Sequence, residues 1–101
     1  MLHTKPELLD TNRLAALAQS LPDWNIVDSQ VERWFEFSSF KLALEFVQKV
    51  AEIAEQMDHH PDIDIRYRKV RLSLTTHGAG GLTSLDVEAA ARIRVLQPHQ
   101  V

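Results

Sequence analysis

The chain has 101 residues, no cysteine and a formal net charge of −3 with the histidines neutral. That length supports one modest core. The missing cysteines exclude disulfides, thiolate metal sites and cysteine nucleophiles, and the acidic balance argues against a non-specific nucleic-acid surface, which is built from positive charge. The hydrophobic fraction of 45% and charged fraction of 25% are those of a soluble globular domain. No apolar run approaches the roughly 20 residues of a membrane span. The N-terminus MLHTKPELLD lacks the basic-then-apolar pattern of a secretory signal. A cytoplasmic protein is the expectation.

In chain order, Leu14, Leu17, Ala18 and Leu21 keep helical spacing after Asp10-Thr11-Asn12, with Thr4-Lys5-Pro6-Glu7 as an alternative start. This predicts a helix over about residues 11–21, ended by Pro22-Asp23. Trp24 to Val27 is a short run of strand formers, and Asp28-Ser29-Gln30 reads as a turn. Val31 to Phe37 alternates, with Val31, Arg33, Phe35 and Phe37 on one face and Glu32, Trp34 and Glu36 on the other. Trp34 on the mixed face needs a cover. Ser38 or Ser39 can cap a long helix that runs to about Met57. Its apolar residues cover roughly half the circumference, wider than the ~100° stripe of a simple surface helix. In so short a chain the expected second partner for that face is another copy of the chain.

Pro61 disfavours helix at the residue before it, so His59-His60-Pro61 closes the helix. Glu55, four positions before His59, is expected on the same face of the last turn and beside that imidazole. Ile63, Ile65 and Tyr67 share one face of the next strand, and Tyr67 at its end reads as core. Arg68-Lys69 is the expected tight connection to Val70, Leu72 and Leu74. Thr75-Thr76-His77 ends the returning strand, and the turn Gly78-Ala79-Gly80-Gly81 permits unusual backbone angles and close approach of a ligand. Thr83-Ser84-Leu85-Asp86 fits a capping box, and Leu85, Ala89, Arg92, Ile93 and Leu96 continue at helical spacing to a stop at Pro98. The resulting order is α-β-β-α-β-β-α. It predicts an α+β fold, a four-stranded, largely antiparallel sheet with three helices packed on one face, as a single domain over 1–101 with its core at about 10–96.

The chemistry concentrates between Glu55 and Asp86. His59 and His60 are adjacent, and a hairpin could return His77 to them. Three imidazoles with carboxylates at the rim form a site for moving protons or holding a metal. Two ligands on one helix face usually stand four apart, as in H-E-x-x-H, whereas adjacent histidines on a helix point about 100° apart. With cysteines also absent, the proton-transfer reading is preferred and no metal is assigned. Asp86 reads first as the cap that Thr83 predicts, and Trp24 as either core or a pocket wall. The basic run Arg66, Arg68, Lys69 and Arg71 reads as a solvated strand face.

Spacing carries more than any one of these residues. Glu55, three residues, His59-His60-Pro61, five residues, Tyr67, nine residues, His77, eight residues and Asp86 resemble the signature of the pterin-4a-carbinolamine dehydratases. Trp24, the strand Trp34-Phe35-Glu36-Phe37, Asp58 before the histidine pair and Ser73-Leu74-Thr75-Thr76-His77 are similar to the family as well. The resemblance spans about residues 10–96. It implies an enzyme without a cofactor that dehydrates 4a-hydroxytetrahydropterin to quinonoid dihydropterin, in the recycling of a tetrahydrobiopterin-type cofactor. It further implies His59 and His77 as the principal proton-transfer groups, His60 mainly as a binding residue that shares the work, and Glu55 as the residue orienting His59. Asp58, Thr75, Thr76, His77 and Gly78 would contact the pterin ring, with Trp24 as a candidate wall and Pro61 and Asp86 in support. The family forms homodimers and homotetramers. Some members serve as interaction modules, either binding a transcription factor through the long-helix surface or acting in protein assembly, and this is the alternative function.

Overall fold

A computed structural model of the chain describes residues 6–96. Helix α1 (Thr11–Ser20) is followed by strands β1 (Asn25–Val27) and β2 (Gln30–Glu36), helix α2 (Phe40–Met57), strands β3 (Asp62–Arg66) and β4 (Lys69–Leu74), a short 3-10 turn at His77–Ala79 and helix α3 (Ser84–Val95). The strands form one antiparallel sheet in the order β1-β2-β4-β3. The α+β architecture and element order match the expectation. The alternative helix start at Thr4 and the stop at Pro98 lie outside the described residues.

Alternation along β2 decides which face of the sheet is buried. Val31, Arg33, Phe35 and Phe37 turn inward with Val70, Leu72 and Leu74 of β4. Against them pack Leu17 of α1, Ala43, Phe46 and Val50 of α2, and Ala89, Ala90 and Ile93 of α3. Phe35 is the hub, tilted on Phe46 at 4.7 Å and met edge-on by Trp24 at 6.0 Å, arrangements that suit the ring quadrupoles. Inward-facing Arg33 stacks its guanidinium on the Phe35 ring at 4.6 Å and approaches Asp23 at 3.7 Å. Its burial pushes its pKa below the usual arginine value. On the outer face Arg71 joins β2 to β3, donating to Glu32 at 2.9 Å and through Nε to Asp64 at 2.9 Å.

Both hairpins close with two residues, since Val27 pairs with Gln30 and Arg66 with Lys69. In each the first turn residue is left-handed, Asp28 at φ 55° and Tyr67 at φ 55°, the sense that matches strand twist. The second turn is therefore Tyr67-Arg68, one residue earlier than predicted, and Lys69 already belongs to β4. The expectation that Tyr67 is core is overturned. Placed at the turn rather than in the strand, it is 70% exposed and stacks on Phe40 at 6.4 Å.

Helix α2 buries Ala43, Phe46, Val50 and Ala54 but leaves Phe40 and Leu42 exposed at its start, so part of its wide apolar face is uncovered by the described residues. Trp34 is likewise half-exposed. The buried face of α3 keeps the predicted Ala89 and Ile93 but not Arg92. Asp86, Ala89, Ala90 and Ile93 are buried, whereas Arg92 faces solvent and pairs with Glu88. The cause is the capping box, which pulls Asp86 inward.

Candidate active site

The end of α2 decides where the histidines go. Asp58 is left-handed, at φ 49° and ψ 44°. The His59 N–H reaches back to the Ala54 carbonyl at 3.0 Å and the Asp58 N–H to that of Glu55 at 3.3 Å. These two bonds and the left-handed residue make a Schellman motif. It ends the helix one residue before His59 and sends that side chain inward rather than up the helix face.

His59 consequently does not meet Glu55, which corrects the expected pairing. Its Nε2 lies 2.6 Å from Oδ1 of Asp86 in a buried contact. Glu55 instead takes Nε2 of His60, at 2.5 Å, on an exposed surface. The helical i, i+4 argument fails because Asp58 has already left the helix. The two neighbouring imidazoles are thus held by two different carboxylates, one in the interior and one in solvent.

Asp86 is fully buried, and its oxygens divide their partners. Oδ1 meets His59, while Oδ2 accepts from the Thr83 N–H at 2.9 Å and from the Thr76 hydroxyl at 2.8 Å. The Thr83 contact completes the predicted capping box at the start of α3. The capping role read from the sequence is present, joined by a contact to a histidine that capping alone does not predict. Every neighbour of the carboxylate can donate, so the desolvation of a buried charge is offset by charge-assisted hydrogen bonds.

Thr76 also anchors the loop that carries His77. Its carbonyl accepts the N–H groups of Ala79, Gly80 and Gly81, and its own N–H donates to the Gly81 carbonyl at 3.0 Å. Gly80 needs its left-handed φ of 80° to close this loop, and a Cβ on Gly81 would lie 3.1 Å from Leu8. Gly78, beside His77, has open space around it and no such conformational demand. His77 is displayed on the loop, exposed, one residue from the threonine bound to Asp86. The Thr75 hydroxyl donates to the Ser29 carbonyl at 2.7 Å, tying the end of β4 to the β1–β2 turn. Trp24 is buried against Phe35 and belongs to the core. Asp58 is exposed beside the histidine pair, and half-buried Pro61 leads into β3. Among the described residues no group of three histidine or acidic side chains converges as metal ligands would. Sequence reasoning missed the shared role of Thr76 and Thr83 around Asp86. The capping-box spacing was a signal for Thr83, but nothing local marked Thr76.

The fold and the site define a small α+β protein with histidines poised by carboxylates at the junction of a helix end, a loop and a helix start. One solved structure with this architecture is a transcriptional coactivator/pterin dehydratase from Brucella melitensis. It superposes with a TM-score of 0.87 at 30% identity, over 91% of this chain and 100% of that one. A pterin dehydratase-like protein identified as a RuBisCO assembly factor of the alpha-carboxysome shares the fold at a TM-score of 0.59 and 22% identity, covering 72% of this chain and 84% of that one. The family model for pterin 4 alpha carbinolamine dehydratase matches residues 7–96, and the chain belongs to that family. Provisionally named pterin-4-alpha-carbinolamine dehydratases are similar to it. One from Acidobacterium capsulatum is 57% identical over 76% of this chain and 84% of the relative, and one from a Picosynechococcus strain is 51% identical over 82% and 89%.

Proposed function

We propose that the protein dehydrates 4a-hydroxytetrahydropterin to quinonoid dihydropterin, with His59, His60 and His77 as the catalytic residues. The reaction breaks the C–O bond at the 4a carbon. The hydroxyl takes up a proton and leaves as water, the adjacent ring nitrogen loses its proton, and a C=N bond forms. Electrons and atoms balance with no cofactor, so a proton donor and a proton acceptor are enough. Imidazole, with an unperturbed pKa near 6.5, can take either part at neutral pH. The observation that carries the reading is the separate holding of the histidines by Asp86 and Glu55 beside the loop of His77. Asp58, next to the histidine pair in the chain, and the Thr75–Gly78 segment, tied to His59 through Thr76 and Asp86, are the proposed contacts for the pterin ring. Family membership gives independent support.

Stopped-flow absorbance on freshly generated 4a-hydroxytetrahydropterin tests the proposal, comparing wild type with the folded His59→Ala/His77→Ala double variant. A wild-type rate well above buffer that collapses in the variant is expected. No acceleration by wild type would refute the activity and leave the second reading, an interaction module. That reading draws on exposed Phe40 and Leu42 at the start of α2 and on the coactivator role in the name of the Brucella structure. The same uncovered surface supports self-association as a homodimer or homotetramer, which is compatible with the catalytic function.

A further inference from the structure

The hydrogen-bond network around Asp86 has one consistent direction. Thr76 has a single hydroxyl proton, and it is given to Oδ2 of Asp86. The 2.7 Å contact between the Thr76 and Thr83 hydroxyls must therefore run from Thr83 to Thr76. Thr83 Oγ1 in turn accepts the Leu85 N–H at 3.2 Å. The chain reads Leu85 N–H to Thr83 O–H to Thr76 O–H to Asp86, with the Thr83 N–H as a second donor to the same oxygen. Oδ2 is fixed by two donors, so Oδ1 is left to face His59 and can only accept.

From this we infer that Asp86, locked in rotation by Thr76 and Thr83, is the positioning residue of the site: it holds His59 as the Nε2–H tautomer and leaves Nδ1 as the nitrogen that exchanges a proton with substrate. The substrate role rests on the dehydratase reading above; the tautomer does not. The hydroxyls of Thr76 and Thr83 act on His59 through the carboxylate. With Nε2 engaged by the carboxylate, Nδ1 accepts a proton when the ring is neutral and donates one when the ring is protonated. The assignment therefore makes Nδ1 the ring atom through which His59 exchanges a proton with substrate.

Substitution by asparagine distinguishes positioning from mere cavity filling. In Asp86→Asn the carboxamide oxygen is the only atom able to accept from Thr76 and Thr83, so its NH2 group must turn to His59. That NH2 can only donate, and the ring must switch to the Nδ1–H tautomer, the same logic by which an aspartate-to-asparagine change misorients a catalytic histidine. The experiment is nitrogen-15 NMR of histidine-labelled full-length protein, recorded above the titration range of His59 and paired with stopped-flow turnover. Wild type should show Nε2–H and Asp86→Asn should show Nδ1–H, with kcat lowered about 100-fold or more and KM changed less than about threefold. Thr76→Val should lower kcat about tenfold and broaden or shift the His59 signals, while Thr76→Ser, which keeps the hydroxyl, restores both. Wild-type His59 as Nδ1–H, or an unchanged tautomer in folded Asp86→Asn, would overturn the inference at any rate of turnover. If the asparagine variant does not fold, the Thr76 pair decides: equal kcat and spectra for Val and Ser refute the lock. A wild type with the Nε2–H ring but no dehydration rate removes the substrate role and with it the dehydratase reading, leaving the tautomer assignment as a structural fact.

Discussion

Replacing Asp58 isolates the backbone turn on which the site hangs. An L-residue in the left-handed region costs roughly 1–2 kcal/mol, reduced for aspartate by its short polar side chain. Alanine keeps the Cβ penalty and loses that relief, so Asp58→Ala should cost about 0.5–1 kcal/mol. Glycine removes the penalty, offset by about 0.4–1 kcal/mol of extra freedom in the unfolded chain, so Asp58→Gly should be neutral to about 1 kcal/mol stabilising. The two variants should then differ by about 1 kcal/mol, which moves the midpoint by about 4–8 °C in a domain of this size. Circular dichroism melts at fixed protein concentration read this directly. Valine, branched at Cβ, should fall below alanine. An alanine variant as stable as the glycine one would refute the Schellman assignment and the explanation it gives for the inward turn of His59. The glycine variant also separates chemistry from shape. It keeps the turn and deletes the carboxylate, so any loss of turnover in it belongs to a contact that Asp58 makes with substrate.

Two further outcomes follow from the packing and the charges. Arg71, bonded to Asp64, holds that carboxyl below the usual carboxylate range, so its folded pKa lies beneath its unfolded one. The stability it contributes is present above the unfolded value near 3.9 and is lost as pH falls through the lowered folded value. Asp64→Asn should therefore flatten the dependence of stability on pH below about pH 4 and leave the slope near neutrality unchanged; an unaltered acid limb would remove Asp64 from acid unfolding. On α2, Val50 is fully buried in the core of the chain itself, so Val50→Glu should cost at least about 3 kcal/mol through a buried charge and tests packing, not assembly. Leu42, 41% exposed, is the assembly probe. Leu42→Glu should keep the fold and lower the mass seen by light scattering, and a wild type that is monomeric at all concentrations would end the self-association proposal.

The sequence carried most of the fold because its local signals agreed. Alternation in Val31–Phe37, the Ser39 cap and the Thr83–Asp86 box point to the same elements that the structure contains. Histidine spacing carried the family. What the residues did not reveal were contacts set by backbone handedness. Asp58 carries only the weak left-handed tendency of aspartate and Tyr67 carries none, yet the first reassigns both histidine–carboxylate pairs and the second turns an expected core residue out to solvent. The Thr76–Asp86 bond joins residues ten apart across two elements and has no periodic signature.

The two oxygens of Asp86 give the protein an economy with a consequence for how it fails. One oxygen closes the first turn of α3 and pins the loop of His77; the other grips His59 at the end of α2. Losing the cap and releasing His59 are then coupled, because one carboxylate serves both. Under heat or denaturant of the wild-type protein, the proposed dehydratase activity should decay in step with the far-ultraviolet signal.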